Sequence, residues 1–401
     1  MSERTSRIAG FYRLTVPERR ALVLEFARAG GHELDAAALT DGVDEELLDA
    51  FVENVVGGFT LPFGVAANFL IDGRETLIPM AVEESSVVAA ASNMARLVRA
   101  AGGFVTELLE DHMIGQVQLT QVPDLTAAVQ AVQGAEQSLI DEANEGDSIL
   151  VKLGGGCQAV ETRTFPASET HGDGDVLVVH FLLDCRDAMG ANAVNRVCES
   201  LAPRLASMTG GTVGLRILSN LADRRRVRAQ CRVLRDDLAF DGRTGEEVVA
   251  GIVSAGRFAT YDPYRATTHN KGIMNGIDPV VVATGNDWRA MEAGAHAFAA
   301  RDGRYRSLTA WSSDPETGDL LGSIEIPVQV GVVGGVTRLH PMAKFSLGLL
   351  GVTTGNELAR ILAAVGLAQN LGALRALSTE GINRGHMRLH QRNLELASQP
   401  S

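Results

Sequence analysis

The spacing of apolar residues along the chain predicts a mixture of helices and strands. Apolar residues between Val87 and Val98 recur every three or four positions, which predicts a helix over 85–101 that ends at Gly102 and Gly103. Between Val227 and Val233 apolar and polar residues alternate, as in a half-exposed strand. The same patterns predict helices over 17–30, 245–259, 288–301 and 356–377, and strands over 278–283, 308–312 and 320–328.

The central part of the chain has its own order of elements. Strands are predicted over 115–122, 159–165, 176–184 and 213–218, and helices over 124–144 and 191–208. The order β-α-β-β-α-β is typical of ferredoxin-like domains. We therefore predict an α/β protein of the α+β type. In it, a smaller domain (111–219) is inserted into a large mixed helical and sheet domain (1–110 and 220–378), and a short polar segment (379–401) follows.

Composition and charge exclude several classes of protein. Of the 401 residues, 45% are hydrophobic and 21% charged, which is typical of globular proteins rather than disordered ones. The net charge of −13 argues against non-specific nucleic-acid binding, which needs a cationic surface. The apolar runs look too short to cross a bilayer, and the first residues lack the apolar core of a secretory signal. The four cysteines show no CxxC spacing, which favours free thiols in the cytoplasm.

Several common motifs of catalytic and binding sites are missing from the sequence. The chain contains no GxGxxG, P-loop, HExxH or GxSxG motif. His386 and His390 stand four residues apart, a spacing that can bind zinc on a helix. No cysteine or carboxylate nearby completes such a site, so we predict no metal centre.

The segment Asp262–Asp278 carries an unusual density of polar side chains among glycines. It holds Arg265, His269, Asn270, Lys271 and Asn275, directly before the predicted strand 278–283. A lysine in such a position can bind an anion or stabilise an oxyanion. From composition alone, this interpretation and that of a solvated loop are equally supported.

Two acidic positions have both a structural and a functional interpretation. Glu84 precedes the predicted helix 85–101, where a carboxylate near the positive end of the helix dipole is favourable. A catalytic Glu84 would need burial to raise its pKa. Asp287 precedes the predicted helix 288–301 and is either its N-cap or a carboxylate beside Lys271.

Two further segments have features of binding or proton transfer. Asp184–Asn195 joins an apolar strand to a helix, and its small residues Ala188, Gly190 and Ala191 would let a ligand approach the backbone. A helix N-terminus there favours a pyrophosphate, although an ordinary strand-to-helix turn is the alternative. His386 is either an exposed side chain near the chain end or a proton donor that works near neutral pH.

Five segments, taken in order, resemble the soluble class II hydroxymethylglutaryl-coenzyme A reductases over about 50–390. They are Glu53–Gly57, Asp187–Asn192, Asp262–Asp278, Gly285–Trp288 and Gly385-His386. The resemblance implies the interconversion of (S)-3-hydroxy-3-methylglutaryl-CoA with (R)-mevalonate and coenzyme A. Two hydrides from a nicotinamide cofactor are transferred, through mevaldyl-CoA and mevaldehyde.

The resemblance also implies a set of site residues. It assigns Lys271 to the oxyanion, Glu84 to the aldehyde proton, and Asp287 to hydrogen bonds with Lys271 and Glu84. It also makes 379–401 a short C-terminal flap that carries the catalytic His386, which is assigned to the coenzyme A thiolate. The implied substrate-binding residues are Ser86, Arg265, Asn220 and Asn275. The implied cofactor-binding residues are Asp147, Asp187, Met189, Gly190 and Asn192.

The cofactor and the partner follow from the same resemblance. Asp147 would accept the ribose 2′-hydroxyl and repel a 2′-phosphate, which favours NADH over NADPH. A homodimer is implied, with the active site at the interface, where Glu53–Gly57 of one subunit meets Asp262–Asp278 of the other; larger assemblies built from such dimers also occur in the family. Two alternatives stay open: a dehydrogenase for a different acyl-CoA on the same scaffold, and an inactive protein that binds coenzyme A or a nucleotide.

Overall fold

The computed structural model describes residues 4–145, 148–240, 242–379 and 381. The strands are β1 (Phe63–Ile71), β2 (Arg74–Ala81), β3 (Phe104–Asp111), β4 (Met113–Thr120), β5 (Gly156–Phe165), β6 (Val176–Asp184), β7 (Thr212–Ser219), β8 (Arg225–Val233), β9 (Thr309–Ser313) and β10 (Leu320–Pro327). The helices are α1 (Val16–Ala29), α2 (Glu45–Phe51), α3 (Val87–Ala100), α4 (Leu125–Gly134), α5 (Glu136–Glu145), α6 (Ser148–Lys152), α7 (Ala191–Thr209), α8 (Gly245–Tyr261), α9 (Pro263–Ala283), α10 (Trp288–Ala299), α11 (Gly335–Leu339), α12 (Pro341–Leu350) and α13 (Gly355–Ser378). The predicted mixed α/β class is confirmed.

The chain divides into two compact units. The large unit comprises the described parts of Met1–Leu108, Val227–Ile326 and Val332–Ser401. The small unit comprises the described parts of Leu109–Arg226, together with Pro327–Gly331. The predicted inserted segment 111–219 falls within the first of these two small-unit segments.

A six-stranded sheet in the order β2-β1-β3-β8-β10-β9 organises much of the large unit. β1 and β2 pair antiparallel around the turn at Asp72 and Gly73, and neither strand was predicted from the sequence. Phe69 of β1 and Phe104 of β3 stack with ring centroids 5.7 Å apart, and both are fully buried. This aromatic pair joins β1 and β3 in the core.

Helix α13 lies at the centre of the large unit and packs against α3, α8 and α9. Thr354 and Glu357 cap its first turn reciprocally. In the part of the chain that the structure describes, α13 is the one helix that is long and apolar enough to cross a membrane, so the expectation that no segment reaches this length is corrected. Of its most apolar 18-residue window, 67% is buried inside the fold, which is typical of a core helix that is apolar on all sides.

The small unit contains an antiparallel four-stranded sheet in the order β5-β6-β4-β7. Along the chain, its strands and helices follow the order β-α-β-β-α-β, with the first helical segment divided into α4, α5 and α6. Phe181 and Leu177 of β6 and Leu201 of α7 belong to one fully buried apolar cluster. The strand predicted over 176–184 coincides with β6.

For 262–283, the predicted strand is wrong and the alternative of a solvated loop is excluded. Residues 278–283 are not a strand but the C-terminal part of α9, and the polar segment before them is not a loop but the rest of the same helix. The apolar run after Pro279 is short, and short apolar runs do not distinguish a strand from a buried helix. Val280 and Val281 are fully buried, and α9 packs against α13. Tertiary burial therefore determines the helix here, despite the internal proline.

Candidate active site

Helix α9 presents two of the predicted site residues on one face. Asp262 caps the helix by accepting a hydrogen bond from the Arg265 backbone N–H at 3.0 Å, and Pro263 occupies the first helical position. Lys271 and Asn275 are four residues apart, so their side chains lie one above the other on the helix surface. The helix thus places an ammonium group and an amide side by side.

Glu84 meets both of these side chains from another part of the large unit. It lies in the connection between β2 and α3. Lys271 Nζ is 3.5 Å from Glu84 Oε2, and Asn275 Nδ2 donates to the same oxygen at 3.2 Å. The side chain of Lys271 is 62% exposed and that of Glu84 is 37% exposed, so the ion pair is open to an incoming molecule rather than sealed in the core.

The connection that carries Glu84 leads into α3 without a side-chain cap. Ser86 occupies the N-cap position of α3 with φ 76°, in the left-handed region, and its side chain makes no capping hydrogen bond. A serine in this region is uncommon, and backbone strain of this kind is often found at functional sites. The hydroxyl of Ser86 is consequently not engaged by the first turn of the helix.

A large cleft of the large unit reaches this connection. Its volume is about 1790 Å³, and Glu83, Glu84 and Ser86 form part of its wall. Apolar side chains such as Phe63 and Val88 provide much of the remaining lining. A mostly apolar cleft with a few convergent polar groups is typical of ligand-binding sites.

Asp287 does not make the predicted hydrogen bonds with Lys271 and Glu84. Its carboxylate caps α10 by accepting from the backbone N–H groups of Arg289 and Ala290 at 3.0 and 3.1 Å. It also pairs with the Arg289 guanidinium at 3.2 Å. The N-cap interpretation of the sequence is therefore confirmed, and the expected contacts with Lys271 and Glu84 are absent from the described part of the chain.

Arg265 is available to an anionic ligand. Burial lowers the pKa of its guanidinium, and the side chain is half-buried. Among the described residues, this guanidinium has no hydrogen-bond or ion-pair partner. A half-buried cation without a carboxylate partner gains most from binding an anion, because that contact compensates the cost of its desolvation.

The predicted cofactor-binding residues of the described chain lie at the start of α7 in the small unit. Gly190 is the N-cap, with φ 100°, and no side chain occupies the first turn as a cap. A Cβ at Gly190 would lie 2.3 Å from Cys185 Sγ, so only glycine fits. Asp187 and Met189 precede it, and Asn192 is exposed in the first turn. Free N–H groups at this helix end suit a pyrophosphate.

Arg225 supports this connection and was not predicted from the sequence. Its side chain is 3% exposed and donates to the backbone carbonyls of Ala188 and Met189 at 3.2 and 3.3 Å. It also pairs with Asp111 at 3.2 Å. The signal in the sequence is its position in β8, where an arginine shares the inward face with Val227 and Ala229.

Three other predicted residues are separate from these groups or lie outside the description. Asn220 is an exposed residue that follows β7 in the small unit, and its carbonyl accepts from Gln329 Nε2 at 3.1 Å. Asp147 and His386 lie outside the described residues. The structure therefore brings together Glu84, Lys271 and Asn275.

Comparisons with known proteins identify the family. A sequence model of the hydroxymethylglutaryl-coenzyme A reductase family matches residues 15–391. The 3-hydroxy-3-methylglutaryl-coenzyme A reductase of Archaeoglobus fulgidus is 52% identical over 392 residues, which cover 98% of this chain and 87% of the relative. A probable reductase of the same name from Borreliella burgdorferi is 33% identical over 352 residues, which cover 87% of this chain and 78% of the relative.

Solved structures agree with the sequence relatives. The class II reductase of Streptococcus pneumoniae, bound to NADPH in open conformations, has a TM-score of 0.87 and 40% identity, covering 92% of this chain and 99% of that one. A second structure of the reductase from this organism has a TM-score of 0.88 and 40% identity, covering 98% of this chain and 92% of that one. The resemblance inferred from the five segments is thus confirmed. The chain belongs to the hydroxymethylglutaryl-coenzyme A reductase family, whose members are oxidoreductases that use a nicotinamide cofactor.

Proposed function

We propose that Lys271, Glu84 and Asn275 form the centre at which this reductase acts on the carbonyl group of (S)-3-hydroxy-3-methylglutaryl-CoA. One observation carries the proposal: Lys271 Nζ and Asn275 Nδ2 both converge on Glu84 Oε2, at 3.5 and 3.2 Å. Carbonyl reduction requires groups that stabilise an oxyanion and a group that donates a proton. Here an ammonium group and a neutral amide donor both lie within hydrogen-bonding distance of one carboxyl group.

Each group has a role in the chemistry. The nicotinamide cofactor, when bound, supplies the two hydrides. Lys271 stabilises the oxyanion that forms when the thioester carbonyl is attacked. After the C–S bond of the resulting hemithioacetal breaks, a protonated His386 gives a proton to the coenzyme A thiolate. Glu84 gives a proton to the aldehyde oxygen in the second reduction, and Asn275 holds Glu84 in place beside Lys271.

The substrate's free carboxylate is assigned to Arg265 and Ser86. The absence of any described partner for the Arg265 guanidinium supports this role, since a carboxylate can occupy both of its terminal nitrogens. Asn220 is assigned to orienting the substrate, together with Asn275. Asp287 is assigned to the same site. It caps α10 and so fixes where that helix begins.

The small unit is proposed to bind the dinucleotide. The N-terminus of α7, which no side chain caps, would hold the pyrophosphate, with Asp187, Met189, Gly190 and Asn192 around it. The relative from Streptococcus pneumoniae was solved with NADPH. For this chain we propose NADH, because Asp147 would repel a 2′-phosphate.

We also propose a homodimer in the cytoplasm, with coenzyme A as a product of the reduction. The segment after α2 supports the dimer: Val56 is fully exposed and Phe59 is 91% exposed. Apolar side chains exposed together are typical of protein interfaces. In the proposed dimer, Glu53–Gly57 of one subunit meets α9 of the other.

Steady-state assays test this function and separate it from the two alternatives. Nicotinamide absorbance is followed with hydroxymethylglutaryl-CoA, and in reverse with mevalonate, coenzyme A and oxidised cofactor. Two cofactor molecules consumed per mevalonate formed support the proposal. Turnover only with another acyl-CoA would favour a different dehydrogenase, and tight binding without turnover would favour an inactive binding protein.

A further inference from the structure

Arg225, the first residue of β8, binds four main-chain carbonyl groups of the small unit. Its Nη1 atom donates to the carbonyls of Ala188 and Met189 at 3.2 and 3.3 Å. Its Nη2 atom donates to the carbonyls of Arg186 and Val330 at 3.3 and 3.1 Å. Three of these carbonyls belong to the connection between β6 and α7, which carries the proposed cofactor-binding residues.

The number of acceptors matches the donors of an arginine. The two terminal nitrogens of Arg225 carry four N–H groups, one for each of the four carbonyls, and its Nε lies 3.2 Å from Asp111 Oδ1. A lysine would bring the same charge to this position but only three donors, all on one atom. This place in the fold therefore requires the shape of a guanidinium and not only its charge.

The carbonyls that point at Arg225 also fix the directions of the neighbouring N–H groups. In a trans peptide, the C=O of one residue and the N–H of the next point in opposite directions, and the described chain contains no cis peptide bond. Because the Met189 carbonyl points at Arg225, the N–H of Gly190 points away from it. This N–H has no acceptor within the described ranges, and it directly precedes the first N–H groups of α7.

Gly331 packs on the same connection and belongs to the same unit. A Cβ at this position would lie 2.6 Å from Met189 N and 2.8 Å from Asp187 O, which are backbone atoms. The φ of Gly331 lies outside the left-handed region, so the absence of a side chain serves this close approach rather than an unusual backbone angle. Val328, three residues earlier, donates its N–H to the Arg225 carbonyl at 2.9 Å.

We infer that Arg225 and Gly331 are positioning residues for the nicotinamide dinucleotide. Together they hold the connection between β6 and α7 in the shape that presents the Gly190 N–H to the pyrophosphate. Both act through the backbone of this connection, and neither is assigned a contact with the cofactor. Their loss therefore weakens binding of the cofactor more than it slows hydride transfer. The inference rests on the proposed cofactor site at the start of α7.

The first experiment compares Arg225→Lys with Arg224→Lys. Arg224 is the preceding residue, and its partners are the carboxylates of Glu110 and Glu161, at 3.7 and 2.9 Å, so the control makes the same chemical change away from the carbonyls. For Arg225→Lys we expect KM for the reduced cofactor to rise about tenfold or more, with NADH and with NADPH, since both carry the same pyrophosphate. KM for hydroxymethylglutaryl-CoA, and kcat at saturating cofactor, should stay within about twofold.

The second experiment changes the connection without changing any charge. Gly331→Ala should raise KM for the reduced cofactor about fivefold or more, because the new methyl group must displace the backbone around Met189. Gly134→Ala is the matched control in the same unit, since nothing lies within 4 Å of its Cβ position and its φ is also outside the left-handed region. If Arg225→Lys does not fold, Gly331→Ala still tests the inference.

Amide hydrogen exchange separates positioning from a general loss of stability. In Arg225→Lys and Gly331→Ala we expect faster exchange within 185–191, while β6 exchanges as in the parent. An unchanged KM for the cofactor in both variants would overturn the inference, as would equal effects of Arg225→Lys and Arg224→Lys or equally accelerated exchange in β6.

Measuring Gly190→Ala in parallel shows which proposal has failed. If Gly190→Ala raises KM for the cofactor while Arg225→Lys and Gly331→Ala do not, the inference fails and the cofactor site stands. If all three variants keep the parent's KM, the proposed cofactor site fails and the inference fails with it.

Discussion

Lys271 Nζ lies 3.5 Å from Glu84 Oε2, although the two residues are 187 positions apart in the chain. The ammonium group comes from the middle of a 21-residue helix, and the carboxylate from a short connection between a strand and a helix. Helix α9 thus presents the ammonium group of Lys271 to Glu84, and the connection that carries Glu84 is conformationally restrained at Ser86.

Replacing Lys271 by alanine removes the proposed oxyanion partner. We expect kcat to fall by about 10²–10³, the usual effect of losing one oxyanion-stabilising group, with KM nearly unchanged. Lys344→Ala serves as the control, because Lys344 is an exposed lysine on α12 of the same unit. The measurement is steady-state oxidation of the reduced cofactor with hydroxymethylglutaryl-CoA. Near-normal kcat in Lys271→Ala would contradict the assignment.

The sequence predicted the elements whose patterns are long or strongly apolar. Strand β6 is an example, since its nine residues are almost all buried and flanked by polar turns. Helix α9 could not be predicted in the same way, because glycines and polar residues interrupt its pattern and Pro279 suggests a break. Its helical form depends on packing against α13, which is a tertiary contact that no local pattern contains.

The site was predicted in a similarly uneven way. The local sequence singled out Glu84 and Lys271 as candidates, and the family resemblance gave their roles, but no local pattern indicated that they meet. The expected hydrogen bonds of Asp287 with Lys271 and Glu84 are absent among the described residues, where its Oδ1 caps α10 instead. Arg225 was missed because its contacts are with backbone carbonyls, whose positions depend on the folded connection around Met189.

Substitution of Gly190 by alanine should weaken cofactor binding. The new Cβ would lie 2.3 Å from Cys185 Sγ, so the start of α7 must shift away from its present position. We expect KM for the nicotinamide cofactor to rise about tenfold or more, with a smaller change in KM for hydroxymethylglutaryl-CoA. Gly172→Ala is the matched control: its φ of 123° is also positive, but nothing lies within 4 Å of its Cβ position. Equal effects of the two substitutions would show that backbone strain alone is responsible.

Cofactor preference is tested at Asp147. If its carboxylate repels a 2′-phosphate, Asp147→Ala should lower the ratio of kcat/KM for NADH to that for NADPH by about tenfold. Glu145→Ala is a nearby acidic control on α5. The ratio is measured for the parent and for each variant at the same ionic strength, because screening by salt weakens the repulsion between charges. An unchanged ratio in Asp147→Ala would refute the argument for NADH.

The acid stability of the large unit should depend on His269. Its Nε2 lies 2.7 Å from Thr309 Oγ1 and 2.8 Å from Ser307 Oγ. Burial, and then the charge of Arg265, lower the pKa of His269 from 6.5 to about 3. Between these values the unfolded chain binds a proton that the folded chain does not. The stability that depends on neutral His269 is therefore complete above pH 6.5 and is lost as the pH falls toward 3.

Urea unfolding between pH 4.5 and 7 measures this linkage. One proton taken up on unfolding lowers the free energy of unfolding by at most about 1.4 kcal/mol per pH unit. His269→Gln should reduce the slope by up to that amount, whatever its effect on stability at pH 7. Both tryptophans, Trp288 and Trp311, belong to the large unit, so their fluorescence reports its unfolding. A slope in His269→Gln equal to that of the parent would mean that the protonation of His269 does not change on unfolding, and would contradict the linkage.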